Sequence, residues 1–280
     1  MFLEEHNRLI YRYDAEQLWI EPWGVNALRI RATKTSSMPT EDWALDTSPE
    51  SCKPTISITE REAKITNGRI VAIISKYGKL MILNSTGKLL LEEYARNRRD
   101  VTDPKCSALE IEAREFKPIP GGNYHLTMRF ESTDPKEKIF GMGQYQQDSL
   151  DLKGHDLELA QRNSQASVPF ALSSLGYGLL WNNPAIGRAV FGKNITSFEA
   201  YETRGLDYWV VAGDSPREIE ETYANVTGKG TCLIFFWYVA LGMTTDVVAS
   251  TNDARIWTWL LAMQITISDS RRTTRSSSRI

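Results

Sequence analysis

Four carboxylates fall close together in the stretch QQDSLDLKGHDLE: Asp148, Asp151, Asp156 and Glu158. Two such groups brought together in a loop could divide acid and base work on one bond. Held apart, they make only a solvated acidic loop, and residue types and spacing favour that reading. A second set flanks them. Gln144, Tyr145, Gln146 and Gln147 come just before, and Arg162 and Asn163 just after. Amides and a guanidinium are dense in donors and acceptors, and a tyrosine ring offers a flat face for stacking. Together they suit a ligand rich in hydroxyl groups. The competing reading is that Arg162 and Asn163 pin the loop to whatever lies beneath it.

Other chemistries find little support. Cys52, Cys106 and Cys232 are odd in number and far apart, with no CxxC, which argues against a disulfide framework or a zinc site. His6, His125 and His155 are scattered and form no HExxH, so no metal or other cofactor is expected. A net charge of -2 gives no basis for nucleic-acid binding. RRTTRSSSRI (271–280) reads as a low-complexity terminus. MFLEEHNRLIYRYDAEQ lacks the apolar core of a signal peptide, which predicts a cytoplasmic protein. CLIFFWYVALGM (232–243) is shorter than the roughly 20 residues that cross a bilayer, so no membrane partner is expected.

The elements that must position the flanking set read as strands. RLIYRY (8–13) alternates polar and apolar residues, and two short apolar runs follow around EPWGVN. AKITNGRIVAIIS predicts a hairpin with Asn67-Gly68 at a type I′ turn. Asn84-Ser-Thr-Gly87 predicts another reversal. Residues 35–55 and 96–122 are polar and read as long surface loops. Strands resume at YHLTMRFES and continue through KIFGMG, VPFALSS, GYGLLWN, RAVFG, NITSFEAYE and LDYWVVAG. Phe170, Leu179 and Trp181 read as core, WNNP as a turn, and Gly176 and Gly178 as parts of a tight hairpin. Regular strand spacing broken by turn residues argues for an antiparallel sandwich. One helix is predicted in GDSPREIEETYANVTGK. Ser215 is its N-cap, Pro216 its first residue, Glu218 completes a capping box, Ile219, Tyr223 and Val226 share one face, and Gly228 ends it.

Three segments carry a family likeness. RLIYRYDAEQLWIEPWGVNALRIRAT, IFGMGQYQQDSLDLKGHDLELAQRNSQASVPFALSSLGYGLLWNNPAIGRAVFGKN and LDYWVVAGDSPREIEETYANVTGK together resemble glycoside hydrolase family 31, most of all its α-xylosidase and α-glucosidase members. The resemblance runs from about residue 8 to about residue 229. It implies an all-β, galactose-mutarotase-like antiparallel β-sandwich with one C-terminal helix, followed in the family by a catalytic (β/α)₈ barrel. It also implies that 144–163 is a rim loop facing a carbohydrate, an α-xyloside or α-glucoside. The family's catalytic pair sits in the barrel. One aspartate lies in a WxDxxE-type motif as nucleophile and a second acts as acid/base, in a retaining mechanism that needs carboxyls about 5 Å apart.

The sequence departs from the family after Lys229. It continues GTCLIFFWYVALGMTTDVV with no WxDxxE-type motif, and only Asp246, Asp253 and Asp269 supply side-chain carboxylates there. About 50 residues remain, against the roughly 200 that a barrel needs. The expected organisation is a sandwich over 1–214, a helix and linker over 215–229, and an irregular tail over 230–280. A reading frame disrupted near residue 230 would account for the change. The expected function is the carbohydrate-facing part of a retaining α-glycosidase, catalytically inactive as it stands, with self-association through the face where a barrel would dock. A free-standing carbohydrate-binding sandwich and a non-enzymatic interaction protein are the alternatives.

Overall fold

Alternation decides the architecture. Along 16–22 and 27–33, Leu18, Ile20, Leu28, Ile30 and Ala32 alternate and face one core, while Trp19, Glu21, Arg29 and Arg31 face the other way. The computed structural model describes residues 1–46, 52–132, 134–147 and 149–228. Its early strands are β1 (Phe2–Glu5), β2 (Arg8–Tyr13), β3 (Glu16–Pro22), β4 (Ala27–Thr33), β5 (Thr55–Ile58), β6 (Glu62–Asn67), β7 (Ile70–Ser75), β8 (Leu80–Asn84) and β9 (Leu89–Glu92). The later ones are β10 (Arg114–Pro118), β11 (Tyr124–Glu131), β12 (Ile139–Gln144), β13 (Asp156–Leu159), β14 (Ala166–Ser173), β15 (Tyr177–Trp181), β16 (Gly187–Phe191), β17 (Ile195–Thr203) and β18 (Leu206–Ala212). One helix, α1 (Pro216–Thr227), follows. The predicted tail and its carboxylates lie outside the described residues, as does Asp148.

The strands form three antiparallel sheets. An eight-stranded sheet runs β1-β2-β3-β4-β18-β15-β14-β12, and two five-stranded sheets run β10-β11-β17-β16-β13 and β5-β6-β7-β8-β9. One face of the large sheet packs on both smaller sheets through a continuous core that includes Leu28, Ile30, Ile65, Ile74, Phe130, Phe198 and Tyr208. Phe170 and Leu179 are buried as expected, and Trp181 stacks on Phe198 at 5.3 Å. This is the all-β sandwich that the sequence predicts.

The opposite face of the large sheet is also covered at its centre. Ala27, Trp209 and Val211 pack with Ile219 and Val226 of α1, and Tyr223 stacks on Phe170 at 4.1 Å. The helix begins as its sequence dictates. Ser215 Oγ accepts from the Glu218 amide, and Glu218 reaches back to the Asp214 amide. Beside the helix, 34–46 crosses the sheet and seats Met38 and Leu45 inside. A buried cation holds this segment down. Arg29 donates to both carboxylate oxygens of Asp207 (3.1 and 2.6 Å) and to Asp42 (2.5 Å), and its guanidinium lies 4.5 Å from the Trp23 ring centre. Asn182 of the WNNP turn joins the group, donating to Asp207 (2.7 Å) and accepting from the Ala44 amide.

Several local expectations need correction. Asn67 pairs with Ile70, so the turn residues are Gly68 and Arg69, one step later than predicted. Only Gly68 has positive φ (+61°), which excludes type I′. Asn67 instead ends β6 buried, donating to the carbonyls of Gly24 and Ala27. The predicted loop 96–122 contains β10. Its Arg114 is buried against Glu93 and Glu16 and donates to the Gly78 carbonyl. The terminal strand β1 and the short β5 carry too little alternation to be read from sequence. Gly178 has an ordinary φ, and its hydrogen lets Ile219 and Phe170 close over the strand.

Two outcomes follow. Arg29→Met leaves Asp207 buried without its partner, and urea unfolding should register a loss of about 3–5 kcal/mol; Arg29→Lys, lacking the fork, should fall between the two. Burial opposes ionisation of Glu92 and Asp103, but Lys79 and Lys105 outweigh it and hold both carboxyls below their usual range. A lowered carboxylate stabilises the fold above its unfolded pKa, and the effect disappears as pH falls through the folded one. Acidification below the carboxylate range should therefore raise amide exchange in 97–107 while β3 and β4 stay protected.

Candidate functional site

The six site residues predicted from sequence meet at one end of the large sheet's edge. β12 pairs with β14 in a register that sets Gly143 against Ser167 and Gln144 against Ala166. Gln144 therefore closes β12 directly beside the 162–165 turn that opens β14. Tyr145, Gln146 and Gln147 follow on one side, and Arg162 and Asn163 sit in the turn on the other.

A bulge aims the chain there. Gly141, Met142 and Gly143 all have positive φ (+96°, +65° and +96°), and the register slips between Gly141 and Gly143. Met142 holds this unfavourable backbone because its side chain is buried in the core. A Cβ on Gly143 would lie 2.1 Å from the Ala166 carbonyl oxygen. The sequence IFGMG therefore encodes a close strand approach and a change of direction, a device that recurs beside functional sites.

Beyond the bulge the segment is pinned at several points. The Tyr145 hydroxyl is hydrogen-bonded to the Glu158 carbonyl (3.0 Å) and to Ser167 Oγ (2.8 Å). Burial pushes its pKa up, so it stays neutral. Gln161 brackets Ser167, accepting from its amide and donating to its carbonyl. Glu158 belongs to β13, which pairs with β16, so the predicted rim loop contains a strand. At its base, Leu152 is buried and Asp151 accepts from the amides of Ile139 and Lys153. Lys153 donates to the buried Glu137 (2.8 Å), which also accepts from Ser173 (2.6 Å) and Tyr177 (2.8 Å).

The site residues then divide by what they touch. Tyr145 is a structural clasp. Arg162 forms a forked pair with Glu158 (3.1 and 2.6 Å), and that guanidinium holds the Glu158 carboxyl below its usual range. Arg162 thus pins the 162–165 turn to β13, the edge strand of a five-stranded sheet. Gln146 and Asn163 are exposed, and their side chains have no hydrogen bond among the described residues. The carboxylates among the described residues of this segment are taken. Asp156 is paired with Arg188, Glu158 with Arg162, and Asp151 with backbone amides. Gln161, Glu137 and Lys153 were not legible as site-forming residues. Their partners lie across hairpins whose register the sequence does not state.

The fold defines the class as a galactose-mutarotase-like sandwich, and comparison with known proteins places it further. The family profile described as the glycosyl hydrolase 31 N-terminal galactose mutarotase-like domain matches residues 18–188, more than half of the chain. The chain belongs to glycoside hydrolase family 31. It is 50% identical over 234 residues to an uncharacterized family 31 glucosidase from Pseudescherichia vulneris, covering 81% of this chain and 44% of that protein. An α-xylosidase from Saccharolobus solfataricus is 32% identical over 119 residues, 39% of this chain and 16% of that protein. Among solved structures, an α-xylosidase of the family from a soil metagenome, complexed with xylose, superposes with a TM-score of 0.79 at 50% identity, covering 81% of this chain and 34% of that one. The chain spans less than half the length of the curated relatives it matches.

One prediction tests how the rim is built. Gly143→Ala should cost roughly 2 kcal/mol or more, because it adds a clash to a left-handed backbone. Tyr145→Phe should cost about 1 kcal/mol. Both should raise amide exchange at 144–147 and 161–167, the alanine variant more strongly; unchanged exchange in both would show that the bulge and clasp do not hold the rim.

Proposed function

We propose that the described body is the carbohydrate-facing N-terminal domain of a retaining α-glycosidase acting on α-xylosides or α-glucosides, and that this chain does not hydrolyse them by itself. The observation that carries the first part is the rim. Rigid strands present Gln146 and Asn163 uncommitted to solvent beside Gln144, in a chain half identical to an α-xylosidase complexed with xylose. Amide groups held in this way can hydrogen-bond vicinal hydroxyls without first giving up internal partners.

The second part rests on the carboxylates. Retaining chemistry needs one carboxylate free to attack and another able to carry a proton, about 5 Å apart. Asp151, Asp156 and Glu158 each have another bond to keep, and lowered carboxyls such as those of Asp156 and Glu158 make poor proton donors near neutrality. Val25 and Trp43, exposed beside the helix-covered face, favour self-association there.

A titration of the full chain with xylose, followed by amide chemical shifts, should move signals from 144–147 and 161–165 at millimolar sugar, while 4-nitrophenyl α-xyloside and α-glucoside are not turned over. Unmoved rim signals would remove the carbohydrate-facing reading, and turnover would remove the inactivity. Sedimentation velocity on the same samples should give a concentration-dependent increase in size; a monomer at every concentration would end the self-association.

A further inference from the structure

Far from the rim, a cavity of about 310 Å3 opens where the β2–β3 and β7–β8 turns meet the segment after β9. β2 and β12 are separated by five strands of the large sheet, so the two places lie on the order of 30 Å apart along it at the usual strand spacing. The cavity has the size of a small-molecule site.

Its walls say what it would take. Tyr11 and Tyr13 sit two apart on β2 and share a face; Tyr11 is buried, and Tyr13 is half exposed at the cavity with Arg99 5.2 Å from its ring centre. The cations in the wall are all paired. Lys79 holds Glu92 and Asp103 (both 2.8 Å), Lys105 holds Glu92 (2.7 Å) and Glu131 (3.2 Å), and Arg99 holds Glu112 (2.7 Å). A charged ligand would have to break these pairs, leaving a partner uncompensated. A neutral ligand would not. An ammonium has three N–H donors and each lysine is seen using two, while ionised carboxylates have lone pairs beyond those used. Hydroxyl groups, which both donate and accept, can bridge such a wall, and the Tyr13 ring offers an apolar face to stack on.

We propose that this cavity is a second binding site, for a neutral polyhydroxylated ring such as a monosaccharide unit, independent of the rim. It would hold carbohydrate on the far side of the sandwich, as an anchor and not as a place of reaction. The inference goes beyond the rim reading and does not require it.

Cys106 lines the cavity and is exposed, so it can report occupancy. In the full chain carrying Cys52→Ser and Cys232→Ser, iodoacetamide should alkylate Cys106 more slowly as xylose or glucose is added. Protection should saturate in the millimolar range, reaching about tenfold when sugar exceeds its Kd tenfold. Tyr13→Phe should keep the protection, Tyr13→Ala should abolish it with an unchanged circular dichroism spectrum, and the rim variant Asn163→Ala should leave it intact. The proposal fails if neither sugar slows alkylation, if protection survives Tyr13→Ala, or if inorganic phosphate protects and the sugars do not. Loss of protection in Asn163→Ala would also end it, by assigning the sugar to the rim. Rim shifts with no Cys106 protection would leave the first site standing and remove this one.

Discussion

The buried Arg29 guanidinium is the constraint around which the outer layer is organised. A sheet covered on both faces must place side chains on its second face that can be buried, and β4 places an arginine there. That charge is tolerable only when every donor finds an acceptor. The acceptors come from two separated segments, Asp207 of β18 and Asp42 of the 34–46 crossing, and Asn182 after β15 steadies the first by donating to Asp207. One ion therefore fixes the register of β4 against β18 and holds the crossing segment in place. The same crossing meets α1, where the Asp46 amide donates to the Val226 carbonyl. Apolar contacts around Trp209 supply most of the burial, but they would tolerate sliding that the forked bonds do not.

A similar division of labour shapes the rim. Hydrophobic burial of Met142 and Leu152 anchors each end of the segment, and directional bonds from Tyr145, Gln161 and Glu137 set its path. The strained backbone at 141–143 is maintained by these neighbours. Polar side chains at the tip are then carried on a base that is pinned at several points. Among the described residues, the exposed side chains of Gln146 and Asn163 make no hydrogen bond and do not contribute to holding the loop.

Legibility followed the range of the interaction. β2, β12, β14 and α1 were readable because alternation, glycine placement and capping are local. The all-β class was also readable, from strand spacing and turn residues. β10 and β13 were not, because each is short and lies in a polar stretch, and only pairing with β11 or β16 makes it a strand. Asn67 shows the same limit on a smaller scale. Asn-Gly is a strong turn signal, yet two distant carbonyls at Gly24 and Ala27 draw the asparagine into the strand and move the turn by one residue. Arg162 was expected to reach either a ligand or the sandwich, and it reaches the sandwich, through Glu158 of β13 four residues earlier.

The carboxylates of the rim show why a cluster in sequence is not a reactive pair in space. Asp151, Asp156 and Glu158 are close along the chain, but each meets a different partner: backbone amides for Asp151, Arg188 of β16 for Asp156 and Arg162 of the following turn for Glu158. Asp156 and Glu158 share a face of β13 and are each neutralised by an arginine, so their charges lie in fixed pairs and not in a shared field that would raise one pKa above the other. Such splitting is what divides a catalytic acid from its nucleophile. In this body the described acidic residues serve register and attachment, and Gln146 and Asn163 keep exposed amides. Amides can select and orient a hydroxylated ligand but cannot exchange protons with it near neutrality. On the proposed reading, recognition and bond cleavage are therefore separable properties in this fold.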